Sequence, residues 1–216
     1  MQKESSKEVS GLYAGLDEVG AGPLAGPLVI AVAAFPYDMA PIPGVTDSKK
    51  LTEKRRAELA PIIASQATFV GYGWASAQEI DDMKMSAAWQ LAAYRALRGA
   101  PPLDILMVDG IREVDPYATK QVTIIKGDAR VWQIGAASIV AKVARDVELM
   151  DMARYYPQYS WEKNKGYGTK EHLNLILAHG PCPYHRRSFL KKLKKQYDKI
   201  GRREKNENLK IANAKW

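Results

Sequence analysis

Four carboxylates stand where a folded chain could gather them. Asp17 and Glu18 close a short apolar segment, Asp109 closes another, and Asp128 follows a third across a Lys-Gly turn. Each lies beside glycine: Gly20 and Gly22 after the first pair, Gly110 after Asp109, Gly127 before Asp128. A carboxylate at a strand end beside such a turn is held rigidly yet faces a cleft. Carboxylates converging on one point repel one another, so they either raise a pKa or bind a cation. With no clustered Cys or His nearby, oxygen-only ligation favours Mg²⁺ or Mn²⁺ over zinc. Two such ions about 3.5–4 Å apart suit in-line phosphoryl transfer. Asp and Gly are also common in turns, so any one of these residues could be a turn or cap residue alone.

Hydrophobic patterning supplies the elements that would position them. Gly11–Glu18 reads as a strand with Leu12, Ala14 and Leu16 apolar. Neighbours on a strand point to opposite faces, so Asp17 and Glu18 share a direction only where the strand ends or bulges. Leu28–Phe35 is an apolar run suited to a buried strand. Leu51–Gln66 reads as a helix that Pro61 would kink or divide. Thr68–Ala75 reads as a strand with Val70, Tyr72 and Trp74 on one face. Ser76–Arg98 reads as a helix capped by Ser76, with Met83, Ala87, Leu91, Tyr94 and Leu97 as its core stripe. Leu103–Val108 and Gln121–Ile125 are further strands. Ala136–Tyr156 is an amphipathic helix with Ile139, Val140, Val143, Val147 and Met150 inward and Lys142, Arg145 and Asp146 outward or sideways. A glycine-rich loop at Asn164–Thr169, a helix at Lys170–His179 and a basic helix at Arg187–Lys199 follow, and the chain beyond Gly201 is polar and expected to be mobile. Strands alternating with helices argue for an α/β domain with a mixed sheet.

Composition narrows the setting. A chain of 216 residues with 46% hydrophobic content can build a sizeable core. Its one cysteine, Cys182, excludes an internal disulfide framework and a thiolate-rich zinc site, and fits a reducing, cytoplasmic compartment. Cys182 follows Pro181 in a loop and is read as having no nucleophile partners, and His172, His179 and His185 are too dispersed for a zinc site. Met1–Ser10 carries no signal or transit pattern, and no run of about 18 apolar residues predicts a membrane span. Charge is lopsided. Of 32 Lys+Arg and 24 Asp+Glu, residues 185–216 hold 12 and 3, a net of +9, leaving 20 against 21 and a net of −1 elsewhere. A basic end of this kind suits a polyanion, either nucleic acid or anionic lipid.

Read together, these blocks resemble ribonuclease HII. Asp17-Glu18-Val19-Gly20-Ala21-Gly22-Pro23 is similar to the family's opening signature, and Asp47-Ser48-Lys49-Lys50-Leu51 to its second block. Asp109-Gly110, then Gly127-Asp128 with Ala136–Asp146, then Gly166-Tyr167-Gly168-Thr169 with His172 and His185–Phe189 continue the series in family order. The resemblance implies an RNase H-like fold, a central mixed sheet flanked by helices with a C-terminal helical portion. It implies a catalytic domain over residues 1–184 and a basic substrate-binding extension over 185–216 within the same fold unit. The implied activity is cleavage of the RNA strand of RNA–DNA hybrids and nicking 5′ to ribonucleotides embedded in duplex DNA, leaving 5′-phosphate and 3′-hydroxyl ends. The implied ligands of two Mg²⁺ or Mn²⁺ ions are Asp17, Glu18, Asp109 and Asp128. Asp128 is preferred to Asp146, which reads as a surface partner of Lys142 on a helix.

The resemblance also implies substrate contacts. Backbone groups of Gly20, Ala21 and Gly22, aided by Tyr167, would read the 2′-hydroxyl that DNA lacks. Lys49 is a candidate phosphate contact, and Ser138 could contact phosphate or pack. Arg186, Arg187 and Lys191, with Lys192, Lys194 and Lys195, would track the phosphate backbone. The chain departs from the family turn Gly-Arg-Gly in having Ala21. It keeps the backbone donor and loses a guanidinium able to fork onto phosphate. Two other readings stay open on sequence: a related nuclease acting on DNA junctions, and a protein that binds hybrids without cutting. The expected partner is RNA–DNA hybrid or ribonucleotide-containing duplex, engaged by a monomer without a membrane.

Overall fold

Five strands, β1 (Leu12–Val19), β2 (Leu28–Pro36), β3 (Phe69–Ala75), β4 (Ile105–Asp109) and β5 (Lys120–Ile124), form one mixed sheet ordered β3-β2-β1-β4-β5. This is seen in a computed structural model that describes residues 11–191. β4 runs parallel to β1, with Leu16 opposite Val108, and β5 runs parallel to β4, with Asp109 opposite Ile124. One step along the register, Asp17 stands beside Asp109. The apolar run of β2 is buried from Leu28 to Phe35, as befits a strand covered on both faces.

The helices are α1 (Glu53–Gln66), α2 (Ala77–Leu97), α3 (Trp132–Tyr155), α4 (Trp161–Asn164) and α5 (Lys170–His179). Thr52 caps α1 by accepting the Arg55 N–H, and the helix runs undivided through Pro61. The break falls instead in α2, at Lys84, whose φ of 71° and ψ of 162° are not helical. That break resets the helical phase and corrects the expected stripe. Ile80, Ala88, Trp89, Ala92, Ala93, Ala96 and Leu97 are buried, whereas Met83, Ala87 and Tyr94 are exposed. In β3, Tyr72 is likewise exposed.

α3 begins four residues before the expected start at Ala136, and its faces are also corrected. Arg145 and Asp146 are buried, while Val147 and Met150 are exposed. Arg145 can be buried because backbone carbonyls accept from its guanidinium. The first turn of α3 approaches β1 at Gly15, where a Cβ would overlap the backbone of Gln133 and Ile134. Gly15→Val should therefore destabilise the fold by at least about 1–3 kcal/mol through overpacking. Thermal melting reads this, and an unchanged transition would contradict it.

The described chain divides into two compact units. Residues 11–18, 30–73 and 93–143 make the first, and 19–29, 74–92 and 144–191 the second. The first holds most of the sheet, with Leu16, Ile30, Phe35, Leu106, Val108 and Ile139 in its interior. The second is built on Ala25, Leu149, Met152, Tyr159, Trp161, Ile176 and Leu190. Arg187–Leu190 forms a turn rather than the start of the expected basic helix. The rest of that helix, with Lys192, Lys194 and Lys195, and the stretch from Gly201 lie outside the described residues. Among the described residues no helix is long and apolar enough to cross a membrane.

Candidate active site

In the first unit, sheet order brings the carboxylates to one edge. Asp17 near the end of β1 and Asp109 at the end of β4 are neighbours by register, and Asp128 lies in the tight turn 127–129 after β5. Asp109 Oδ1 accepts the Gly127 N–H at 2.7 Å, tying that turn to the end of β4. β1 continues through Glu18 to Val19 instead of ending at the acidic pair. Asp17 is buried and Glu18 half-buried, and the two carboxylates remain close enough for Glu18 to repel Asp17.

Burial raises the Asp17 pKa well above the usual carboxylate range, and repulsion from Asp109 and Glu18 adds to it. The Ser138 hydroxyl, hydrogen-bonded to Asp17, opposes the rise. Ser138 Oγ also lies 2.8 Å from Ser48 Oγ. If Ser138 donates to Asp17, then Ser48 donates to Ser138. Ser138 is thus buried and orients a carboxylate, a role that sequence spacing alone did not identify. Asp128 is also raised, by burial first and then by Asp47 and Asp109, with Lys49 opposing. The Lys49 ammonium lies 3.6 Å from Asp128 Oδ2, with its side chain 82% exposed. Burial would lower its pKa, but Asp128, Asp17, Asp47 and Asp109 outweigh that and raise it.

This donor set, all oxygen and poorly neutralised, has the chemistry of a hard divalent cation. It is not a ready-made cage. Among the described residues no three His, Cys, Asp or Glu side chains are gathered to hold a metal ion. Mg²⁺ characteristically takes one or two carboxylates and completes its shell with water and substrate phosphate, which fits such an open arrangement.

The turn at Gly20, Ala21 and Gly22 and the loop carrying Tyr167 belong to the second unit. Gly20 is buried with φ 89°, Ala21 is half-buried and Gly22 is exposed. Leu24 N–H donates to the Gly166 carbonyl at 2.8 Å, joining turn and loop. Tyr167 is 42% exposed, with the Arg145 guanidinium carbon 6.0 Å from its ring centroid. Arg186, expected to track phosphate, is fully buried, and its donors are directed to the carbonyls of Gly20, Ala21 and Gly26. It faces protein rather than solvent. Arg187 and Lys191 are exposed, and the Arg187 N–H donates to Asp81 at 2.7 Å.

Two of the dispersed histidines meet. His172 Nε2 lies 3.2 Å from His185 Nε2, both side chains being buried. Trp161 Nε1, which can only donate, lies 3.1 Å from His172 Nε2, so the His172 proton sits on Nδ1 and is given to the Tyr167 carbonyl at 2.9 Å. His185 Nδ1 accepts the Cys182 N–H at 3.1 Å, with Cys182 Sγ 3.2 Å away. Cys182 therefore has a histidine partner only three residues away, which corrects the expectation that it has none. Burial raises its thiol pKa and pushes His185 down to about 3, so this is a neutral pair rather than an activated nucleophile.

The histidines predict a pH dependence. Their folded pKa values are lowered, so the unfolded chain binds more protons and stability falls as pH drops below about 6.5. For His185 the loss runs towards pH 3, at about 1 kcal/mol per unit. Asp17 and Asp128, raised on folding, act in the opposite sense. Denaturant unfolding of the protein and of His185→Gln between pH 7.5 and 4 isolates the histidine contribution. The parent should show the steeper acid loss, and equal slopes would contradict the buried neutral pair.

A family model described as Ribonuclease HII matches residues 14–192. A ribonuclease HII of Thermosynechococcus vestitus is 46% identical over 83% of this chain and 84% of its own length. One of Geobacillus sp. is 44% identical over 88% of this chain and 70% of its own. Among solved structures, ribonuclease H2 from Pyrococcus horikoshii OT3 superposes with a TM-score of 0.70 at 26% identity, covering 87% of this chain and 99% of that one.

Proposed function

The chain belongs to the ribonuclease HII family and is an endoribonuclease of RNA–DNA hybrids; we propose that it cuts by a two-metal mechanism and also nicks 5′ to ribonucleotides embedded in duplex DNA. The observation that carries the mechanism is the repulsive carboxylate group at adjacent strand ends, in which burial and neighbouring acids raise Asp17 and Asp128. Asp17, Glu18, Asp109 and Asp128 would hold Mg²⁺ or Mn²⁺. Such ions would supply Lewis acidity to activate the attacking water and to offset charge on the leaving oxygen.

The chain's own residues do the rest. Ser138 orients Asp17, and Gly127 fixes Asp109 through its N–H. Lys49, exposed and raised in pKa, is placed to meet a substrate phosphate while balancing Asp128. Backbone groups of Gly20, Ala21 and Gly22, with Tyr167, read the ribose 2′-hydroxyl. Exposed Arg187 and Lys191, with the basic residues that follow them, hold the phosphate backbone as a C-terminal extension to the catalytic domain. Cleavage should accordingly weaken steeply as salt rises, and a flat response would remove this role from the basic end.

The test is a labelled RNA–DNA hybrid incubated with Mg²⁺ or Mn²⁺, beside a chelator control. Fragments of the RNA strand with 3′-hydroxyl ends, absent with chelator, are expected. Intact RNA in the presence of both metals would overturn the activity, and fragments in chelator would overturn the metal mechanism.

A further inference from the structure

We infer that Arg186 and Arg145 are positioning residues, whose buried guanidinium groups fix residues 20–27 so that the amides of Ala21 and Gly22 meet the substrate sugar. This rests on the hybrid-cleaving reading above. Both side chains are fully buried. Arg186 Nη2 donates to the carbonyls of Gly20 at 2.6 Å and Gly26 at 2.8 Å, Nη1 to Ala21 at 3.0 Å, and Nε to Gly26 at 3.0 Å. Arg145 Nε donates to Pro27 at 2.9 Å, Nη2 to Ala25 at 3.1 Å, and Nη1 to Lys165 at 3.1 Å. Two cations thus hold the carbonyls of Gly20, Ala21, Ala25, Gly26 and Pro27. A Cβ at Gly20 would overlap Arg145 Nε, so turn and guanidinium fit each other closely.

The arrangement is costly. Burial pushes Arg186 down to about 9, and the neighbouring Arg145 charge adds to the fall. Apolar side chains could fill the same space without stripping water from two charges. What the guanidinium groups add is direction. In a trans peptide the C=O and the following N–H point opposite ways, and Asp115-Pro116 has the one cis bond among the described residues. Arg186 on the Gly20 and Ala21 carbonyls therefore turns the N–H groups of Ala21 and Gly22 away from the buried guanidinium. Gly22 is exposed and Ala21 half-buried, so these donors face the outer side of the turn.

Arg186→Lys tests this, because an ammonium keeps the charge but loses the planar fork that spans three carbonyls. The variant should melt cooperatively and bind Mn²⁺, titrated alone, with the parent's Kd. On a duplex with one ribonucleotide its kcat should fall about ten- to a hundredfold, the effect of a displacement near 1 Å, with KM little changed. A folded variant with the parent's kcat overturns the inference. A variant that does not fold leaves the unaltered protein to decide. Backbone amide order parameters at Gly20, Ala21 and Gly22 should be about 0.85, and values below about 0.6 overturn the inference. If the unaltered protein cleaves no ribonucleotide-containing substrate, the hybrid-cleaving reading fails, while the order parameters still report on the turn.

Discussion

Asp17→Asn should lower cleavage at least about a thousandfold, a loss of roughly 4 kcal/mol in transition-state stabilisation, without lowering the melting temperature. Two features of the site produce this combination. Asp17 is buried beside Asp109 and Glu18, and its ionised form is disfavoured in the folded protein without metal. Asparagine removes that charge and keeps an oxygen to accept from Ser138, so the metal-free fold is expected to be as stable or more so. On the proposed ligation the same change removes an anionic ligand, so metal affinity and rate should fall together. Initial rates on a ribonucleotide-containing duplex, set beside melting curves in chelator, separate the roles. Retained activity would exclude Asp17 from the chemistry. Loss of activity together with stability would make it a structural residue.

Ala21→Arg should lower KM by roughly ten- to a hundredfold, the effect of a charge-assisted phosphate contact of about 1.5–3 kcal/mol. The carbonyl of residue 21 is held by Arg186, so its peptide geometry should survive the change. The turn has room on its outer side, where a Cβ at Gly22 would meet nothing within 4 Å. If the Ala21 and Gly22 amides meet the substrate sugar as proposed, a forked cation beside them should strengthen binding more than it alters the chemical step. Steady-state kinetics at fixed salt measure both constants. Unchanged KM and kcat would show that position 21 makes no phosphate contact.

The acidic positions are legible because each has a local signature, an apolar run followed by a carboxylate beside glycine, although β1 continues past its pair to Val19. Parallel register then needed only the pairing of β1 with β4 to place Asp17 beside Asp109. Arg186 was misread for a physical reason. Its sequence neighbours are basic, whereas its partners are carbonyls 160–166 residues away, which leave no mark in side-chain identity. Arg145 hid in the same way among helix residues that periodicity assigned outward. His172 and His185 stand 13 positions apart in the chain, and only the fold closes that distance. In α2 the apolar pattern predicts one continuous helix, whereas the positive φ at Lys84 breaks it, which no residue type in the run signals.

The most direct test of the account uses two labelled DNA duplexes that differ at a single position, one ribonucleotide against its deoxy counterpart, with Mg²⁺ or Mn²⁺ present. One nick is expected, 5′ to the ribonucleotide, with a 3′-hydroxyl on one fragment and a 5′-phosphate on the other, and no cutting of the all-DNA duplex. Equal cutting of both duplexes, or binding of the ribonucleotide duplex with no nick under either metal, would contradict it.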